Sequence, residues 1–301
     1  MSAPRLLVVG GSGRVGRLLA RAWAAAPPSL APLWQSRRGG AGALRWAPLD
    51  AGAGGLTRQL DAAPAAMLVL AGVTPGPGAA LEDNAALAAA CLDAARAAGI
   101  PRVLYASSSA VYGAPGARPF REDDAPAPVS AYGAAKLAAE HACAAARGAG
   151  LEVCALRIGN VFGADALTTN AARLGPGEAL AIDRFADGAG PERSYIGPAT
   201  LARVLGALAA DPAPLPETLN LAAPGRVAMA DLATAAGLPW RWTPAPEGAV
   251  RRLLLDCSAL AARVSFAAAE GTARGIAAEL ARLPPPPAPD RVSGPSLPAG
   301  H

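Results

Sequence analysis

Lysine is almost missing from this 301-residue chain: of its 27 basic side chains only Lys136 is an amine, and the rest are arginines. Histidine is nearly as scarce, at positions 141 and 301 only, and Cys91, Cys143, Cys154 and Cys257 show no Cys-x-x-Cys spacing. A zinc site therefore lacks ligands at usable spacing, and no metal is expected. The cysteines read as small buried apolar residues. Aromatic residues make up 4% of the chain, so the core of a 52% hydrophobic sequence must be built mainly from Ala, Val and Leu. No apolar run reaches the ~20 residues of a membrane helix without Gly, Pro or charge, and no membrane partner is expected. No signal peptide precedes the apolar run at 6–9, which makes the cytoplasm the expected compartment. The net charge is +4, yet the arginines are scattered along the chain. That distribution argues against a nucleic-acid partner and suits a small phosphate-bearing ligand.

What is present is an alternation of periods. Apolar runs at 6–9, 67–71, 103–107 and 153–157 read as strands. A further strand is expected near 30–36, weakened by Pro32. Helical spacing follows the first run, where Val15, Leu18, Leu19, Ala22 and Trp23 share a face. Helices are also expected at 81–98, ending before Gly99 and Pro101, and at 132–147, stopped by Gly148 and Gly150. Such alternation implies parallel strands with crossover helices: an α/β fold with a Rossmann-type doubly wound sheet. Beyond Gly163 the pattern loosens into loops, with helices expected at 200–210, 230–236 and 273–283 and a strand at 218–222. We expect a nucleotide-binding domain over 1–165 with a return segment at about 194–224. A small C-terminal substrate-binding lobe would use 166–193 and 225–283. The Pro-rich end, 284–301, reads as a disordered tail or, alternatively, a polyproline docking peptide.

The first strand runs into Gly10-Gly11-Ser12-Gly13-Arg14-Val15-Gly16. In this spacing Gly10 permits a tight turn, Gly13 lets a pyrophosphate approach the backbone, and Gly16 allows close helix packing. The triplet alone, among 34 glycines, is equally an ordinary turn; the flanking strand and helix are what point to a dinucleotide. About 20 residues on, where a carboxylate would hold an unphosphorylated ribose, stand Trp34-Gln35-Ser36-Arg37-Arg38. Arg37 and Arg38 suit a 2′-phosphate, so NADP(H) is favoured over NAD(H), the alternative being that both decorate a solvated loop. Asp50, at the end of the next expected strand, is a candidate adenine contact.

The remaining chemistry sits in two segments, Ser107-Ser108-Ser109-Ala110-Val111-Tyr112-Gly113 and Tyr132-Gly133-Ala134-Ala135-Lys136. Positions i and i+4 share a helix face, so Tyr132 and Lys136 would point into one cleft. A nearby ammonium would favour the phenolate and make Tyr132 a usable acid/base. A chain that uses arginine for almost every cation keeps its one lysine there, which argues that an amine is needed.

Together with Leu156-Arg157-Ile158-Gly159-Asn160-Val161-Phe162-Gly163, these motifs resemble the NAD(P)-dependent epimerase/dehydratase family of extended short-chain dehydrogenases, over Leu6 to about Ala222. The resemblance implies Ser108, four residues before Tyr112, as the catalytic hydroxyl, Tyr132 as acid/base and Lys136 as a ligand of the nicotinamide ribose. It further implies Asn84 and Asn160 at or beside the substrate and Arg193 on a nucleotide-sugar phosphate. Arg14, Val15 and Ala71 are further expected cofactor contacts, and Ser109 a substrate contact. The implied activity is NAD(P)-dependent oxidoreduction or epimerisation at a hydroxyl/carbonyl centre of a nucleotide sugar or related metabolite, with a homodimer left open. The alternative is a non-catalytic NAD(P)-holding sensor or assembly factor of the same fold. Three departures from the family pattern stand out: Val9 before the glycine loop, Ile158-Gly159 before Asn160, and Pro198-Ala199-Thr200 after Arg193. Dehydratases of the family resemble one another in an Asp-Glu pair directly after the catalytic Thr; here Ser109 and Ala110 follow Ser108, so dehydration is not expected. Glu122, Asp123 and Asp124 could bring in a carboxylate, or form a solvated loop. His141 is expected to be structural.

Overall fold

Strand β1 (Arg5–Val9) is buried at all but its first residue and lies in the interior of a seven-stranded parallel sheet. On one side lie β2 (Ala31–Ser36) and the two-residue β3 (Leu44–Arg45). On the other lie β4 (Ala66–Val69), β5 (Arg102–Ser108), β6 (Glu152–Ile158) and, at the far edge, β11 (Thr218–Leu221). The order is β11-β6-β5-β4-β1-β2-β3. The chain winds outward from β1 in both directions, the doubly wound Rossmann plan expected from the strand–helix alternation. This computed structural model describes residues 3–40, 42–114 and 118–285. Of the expected tail only Pro284 and Pro285 lie within it; the carbonyl of Pro284 accepts from Arg21 Nε.

Alternation along β1 explains the two-sided core. Leu6 and Val8 pack into one apolar cluster with α1 (Arg14–Ala25) and α6 (Pro198–Ala210). Leu7 and Val9 pack into the other, with α2 (Pro48–Thr57), α3 (Asp83–Ala97) and α4 (Ala131–Ala146). Alanines supply much of each helix contact, and all four cysteines are buried and unpaired, with burial pushing their thiols up to about 12.

Pro32 does stand in a strand. It pairs with Leu6, while β3 reaches only Gln35 and Ser36, so the outer side of β2 at Pro32 is a free edge where a missing N–H is harmless. Asp50 is not at a strand end: β3 stops at Arg45, and Pro48 opens α2, with Asp50 in its first turn. That helix is glycine-rich and breaks at Gly52, whose φ is +54°.

The segment beyond Gly163 holds more strand than its looseness suggested. β7 (Asn160–Val161) pairs with β10 (Tyr195–Ile196), β8 (Leu180–Arg184) with β13 (Trp240–Pro244), and β9 (Glu192–Arg193) with β12 (Val227–Ala228) and β14 (Arg252–Leu253). α5 (Ala166–Ala171), α7 (Met229–Ala235) and α9 (Ala273–Arg282) pack with these short strands, whereas α8 (Ser258–Ala261) sets Leu260 into the first core cluster beside β11. Phe162, Leu167, Ile182, Tyr195, Leu232 and Ile276 form part of a third apolar cluster. No helix of the described residues is long and apolar enough to cross a membrane.

Candidate active site

Two clefts open along the carboxyl ends of the central strands, where ligands of doubly wound sheets bind. The first, about 310 Å³, is lined by Gly10, Ser12, Gly13, Ser36, Arg37, Asp50, Ala71 and Gly72, among others. Gly10 has φ +87°, and a Cβ there would stand 2.6 Å from the backbone nitrogen of Ala71. Gly16 is close-packed too, with an added Cβ falling 2.4 Å from Gly11 O. Gly13 caps α1 in extended conformation without a side-chain bond. The first-turn N–H groups of Arg14, Val15 and Gly16 are thus free of a capping side chain, as a phosphate requires. A residue the sequence did not single out completes the loop: Gln35 accepts from Gly10 N at 2.8 Å and donates to the carbonyl of Trp46. It ties the glycine turn to β2 and the segment before α2. Arg37 borders this cleft; Arg38 is not among its lining residues.

The second cleft, about 350 Å³, shares Leu70 and Gly72 with the first and is lined by Arg14, Val15, Ser108, Tyr132, Lys136, Asn160 and Asp165, among others. Ser108 ends β5 and accepts from Ala110 N at 3.2 Å, starting a short 3₁₀ turn over Ser109–Val111. Ser130 caps α4 through Gly133 N at 3.1 Å. A Cβ on Gly133 would stand 2.3 Å from Ala110 O, so this glycine lets α4 begin against the turn that carries Ser108. Burial raises the Tyr132 phenol above its ordinary range, and the Ser108 hydroxyl and Arg14 guanidinium act to lower it.

Lys136 shares the cleft with Tyr132, but its ammonium is not what tunes the phenol. Nζ donates to Ala106 O at 2.8 Å and to Tyr105 Oη at 3.3 Å. Burial lowers the amine from 10.5 to about 8. The side chain reaches the wall between the clefts, where a Cβ on Gly72 would come within 3.1 Å of Nζ. The i,i+4 spacing fixes a common helix face but not where a flexible amine ends.

Other expected site residues have different surroundings. Asn84 is fully buried and cannot meet a substrate: its amide accepts from Val73 N at 3.1 Å and donates to Val73 O and Leu81 O at 3.0 and 2.8 Å. It braces the loop after β4. Ser109 is buried, and its carbonyl closes the 3₁₀ turn on Tyr112 N. Arg193 directs its guanidinium at the carbonyls of Glu192, Val250 and Arg251. These bonds tie β9 to the segment before β14, and Arg193 lines neither cleft. In the acidic loop, Asp124 is held down to about 2, first by its bond to Arg118, and Asp123 pairs with Arg121 at 3.3 Å. Glu122 accepts from Asn220 N at 2.9 Å. None of the three borders the second cleft. His141 is exposed on α4.

Beneath the site lies a buried polar network that the motifs concealed. Glu140, one turn beyond Lys136, accepts from Ser107 Oγ and pairs with Arg157 at 2.9 Å. Arg157 also reaches Tyr112 Oη at 3.1 Å, and that hydroxyl donates to Asn220 at 2.7 Å. One network therefore ties α4, β5, β6 and β11 under the second cleft.

The model of the NAD dependent epimerase/dehydratase family matches residues 6–198. UDP-glucose 4-epimerase of Azospirillum brasilense is 34% identical over 177 residues, 54% of this chain and 51% of that protein. The chain thus spans about half the length of this curated relative. Among solved structures, MoeE5 in complex with UDP-glucuronic acid and NAD superposes with a TM-score of 0.72 at 27% identity, over 91% of this chain and 97% of that one. UDP-glucose 4-epimerase from Brucella ovis in complex with NAD gives a TM-score of 0.73 at 26% identity, over 92% and 97%.

Proposed function

Because the chain belongs to the NAD dependent epimerase/dehydratase family, we propose that it is an NAD(P)-dependent enzyme acting on a hydroxyl/carbonyl centre of a nucleotide sugar, as an epimerase or reductase. The observation that carries this reading is the joined pair of clefts: a glycine cradle in one, Ser108 and Tyr132 in the other, and Lys136 at the wall between them. The open first turn of α1 and the close approach at Gly10 fit a dinucleotide pyrophosphate. Hydride exchange is the chemistry a nicotinamide supplies when bound. In this reading Ser108 hydrogen-bonds the substrate oxygen, Tyr132 gives or takes its proton, and Lys136 holds the ribose hydroxyls. Arg14 and Ser108, which both favour the phenolate, assist Tyr132.

NADP(H) is the preferred cofactor in this proposal. Its support is Arg37 at the cleft and the absence of a carboxylate from the end of β2; the similar structures named above were solved with NAD. Elimination of water is not proposed, since Ser109 and Ala110 follow Ser108 and the acidic loop is engaged elsewhere. The test is to incubate the protein with either cofactor and a panel of nucleotide sugars and to follow product mass and stereochemistry. A mass gain of two hydrogens identifies a reductase, and unchanged mass with an altered centre an epimerase. Loss of water removes the reaction type proposed here, and no conversion under any condition removes the enzyme reading.

A further inference from the structure

Tyr105 is buried on β5, and neither the motifs nor the proposed reaction uses it. Residues i and i+2 of a strand share a face, so Tyr105 points with Ser107 toward α4, where Ser107 meets Glu140 and Tyr105 meets Lys136. The contact with Lys136 is double. Nζ donates to Tyr105 Oη at 3.3 Å and lies 4.9 Å from the centre of the same ring, a cation–π distance. β4 pairs with β5 only as far as Tyr105, and just beyond that point Ala106 O accepts from Nζ at 2.8 Å. An ammonium has three N–H donors. Two are thus engaged, and the third is left at the wall between the clefts. Gly72, which lines both clefts, has no side chain there, and a Cβ on it would stand 3.1 Å from Nζ.

We propose that Tyr105 is a positioning residue of the cofactor site: its ring and hydroxyl hold the Lys136 amine at the wall between the clefts, charged or neutral, and leave one N–H for a ribose hydroxyl of the cofactor. This rests on the reading of Lys136 as the ribose ligand given above. A phenol suits the task because its hydroxyl both accepts and donates. It accepts from an ammonium, and it donates to the lone pair of a neutral amine. Burial, and next the neighbouring Cys143, push the Tyr105 phenol well above its ordinary range, so it keeps its proton wherever Lys136 titrates. Other groups around the amine act from a distance. Against the effect of burial, Cys143 and Glu140 on α4 act to raise it, and Glu140 is itself bound to Arg157. Tyr132 on α4 and Cys91 on α3 act on Tyr105. Among the described residues, Tyr105 is the only side chain that hydrogen-bonds Nζ.

Lys136 is the only lysine of the chain, so lysine labelled with carbon-13 at Cε reports this amine alone by NMR. The test titrates the full chain in this way and measures Kd for NADPH and NADH by fluorescence over the same pH range. Tyr105→Phe keeps the ring and removes the hydroxyl. We expect the amine to titrate at about 8 in the wild type and about one unit lower in the variant, the effect of one hydrogen bond to a charged group partly offset by its loss from the neutral amine. Cofactor affinity should follow. Its fall with rising pH moves down by the same unit, leaving Kd about 3- to 10-fold weaker near pH 7.5. A packing defect alone weakens binding without moving that midpoint. Should Tyr105→Phe not fold, 3-fluorotyrosine placed at position 105 by codon suppression keeps the ring and the hydroxyl but makes the oxygen a poorer acceptor, and the amine should again titrate lower. An amine that titrates at the wild-type pH, or a cofactor midpoint that does not move, overturns the inference, while weak cofactor binding by Lys136→Met leaves the ribose reading standing. Cofactor binding by Lys136→Met as tight as in the wild type overturns that reading, and this inference with it.

Discussion

Lys136 carries a thermodynamic cost that can be measured apart from its chemistry. The amine is 5% exposed, and burial lowers it from 10.5 to about 8. Below pH 8 the folded state must hold a desolvated ammonium. Above 10.5 both states are neutral and the cost is gone. Between these limits the unfolded chain binds the proton more tightly, so the Lys136 contribution to stability rises with pH. A shift of about 2.5 units corresponds to about 3 kcal/mol. In Lys136→Met this dependence is absent. The difference in unfolding free energy, wild type minus variant, should therefore grow by about 3 kcal/mol from pH 7.5 to pH 10.5. Lost packing and the lost bonds to Ala106 and Tyr105 offset the curve without changing its slope. Lys136→Arg supplies the control, since a guanidinium stays charged throughout and gains no such recovery. Urea melts read by circular dichroism at half-unit pH intervals measure all three proteins. Parallel wild-type and methionine curves would refute the argument, because the amine would then titrate as it does in water. The same amine should govern cofactor affinity, which is expected to fall as pH rises through 8 in the wild type and to be weak and pH-independent in Lys136→Met.

Tyr132→Phe should lower kcat by about 10²–10⁴ with the melting temperature and cofactor Kd unchanged, and wild-type turnover in this variant would exclude Tyr132 as the acid/base. Arg37→Ala should weaken NADPH binding about 10- to 100-fold and NADH binding little, measured by fluorescence titration at fixed salt; equal losses would assign Arg37 to the loop rather than to a 2′-phosphate. Arg157→Met leaves the Glu140 carboxylate buried beside Ser107 alone and should cost about 3–5 kcal/mol in denaturant melts, most of it recovered in Glu140→Leu/Arg157→Met. A single variant as stable as the wild type would mean that the network contributes nothing to the fold.

The parts of this molecule readable in its sequence are those with strong periodicity. β1, β4, β5 and β6 are each built on an apolar run, and α3 and α4 stop before Gly99 and Gly148, while α1 stops before Pro27, so the doubly wound plan followed. Legibility failed where local composition opposed the tertiary outcome. The stretch Pro48–Thr57 contains three glycines that argue against helix, and only packing of Leu56 and Gly55 beneath Trp46 rescues it. The two-residue strands of the smaller lobe carry no period at all; they exist because their partners are held nearby.

The same division runs through the site. Spacing placed Tyr132 and Lys136 on one helix face, and the fold brings both to one cleft with Ser108. Spacing could not say that Lys136 would turn toward Ala106 and the shared wall, because a four-carbon stem lets the amine choose among acceptors. Nor could it separate residues that face a ligand from those that hold the loops. Asn84 and Gln35 are both amides in the middle of motif-bearing segments, and both spend their hydrogen bonds on backbone groups. A motif records which residue types a region needs, whereas the direction of each side chain is set by whichever backbone group would otherwise go unpaired.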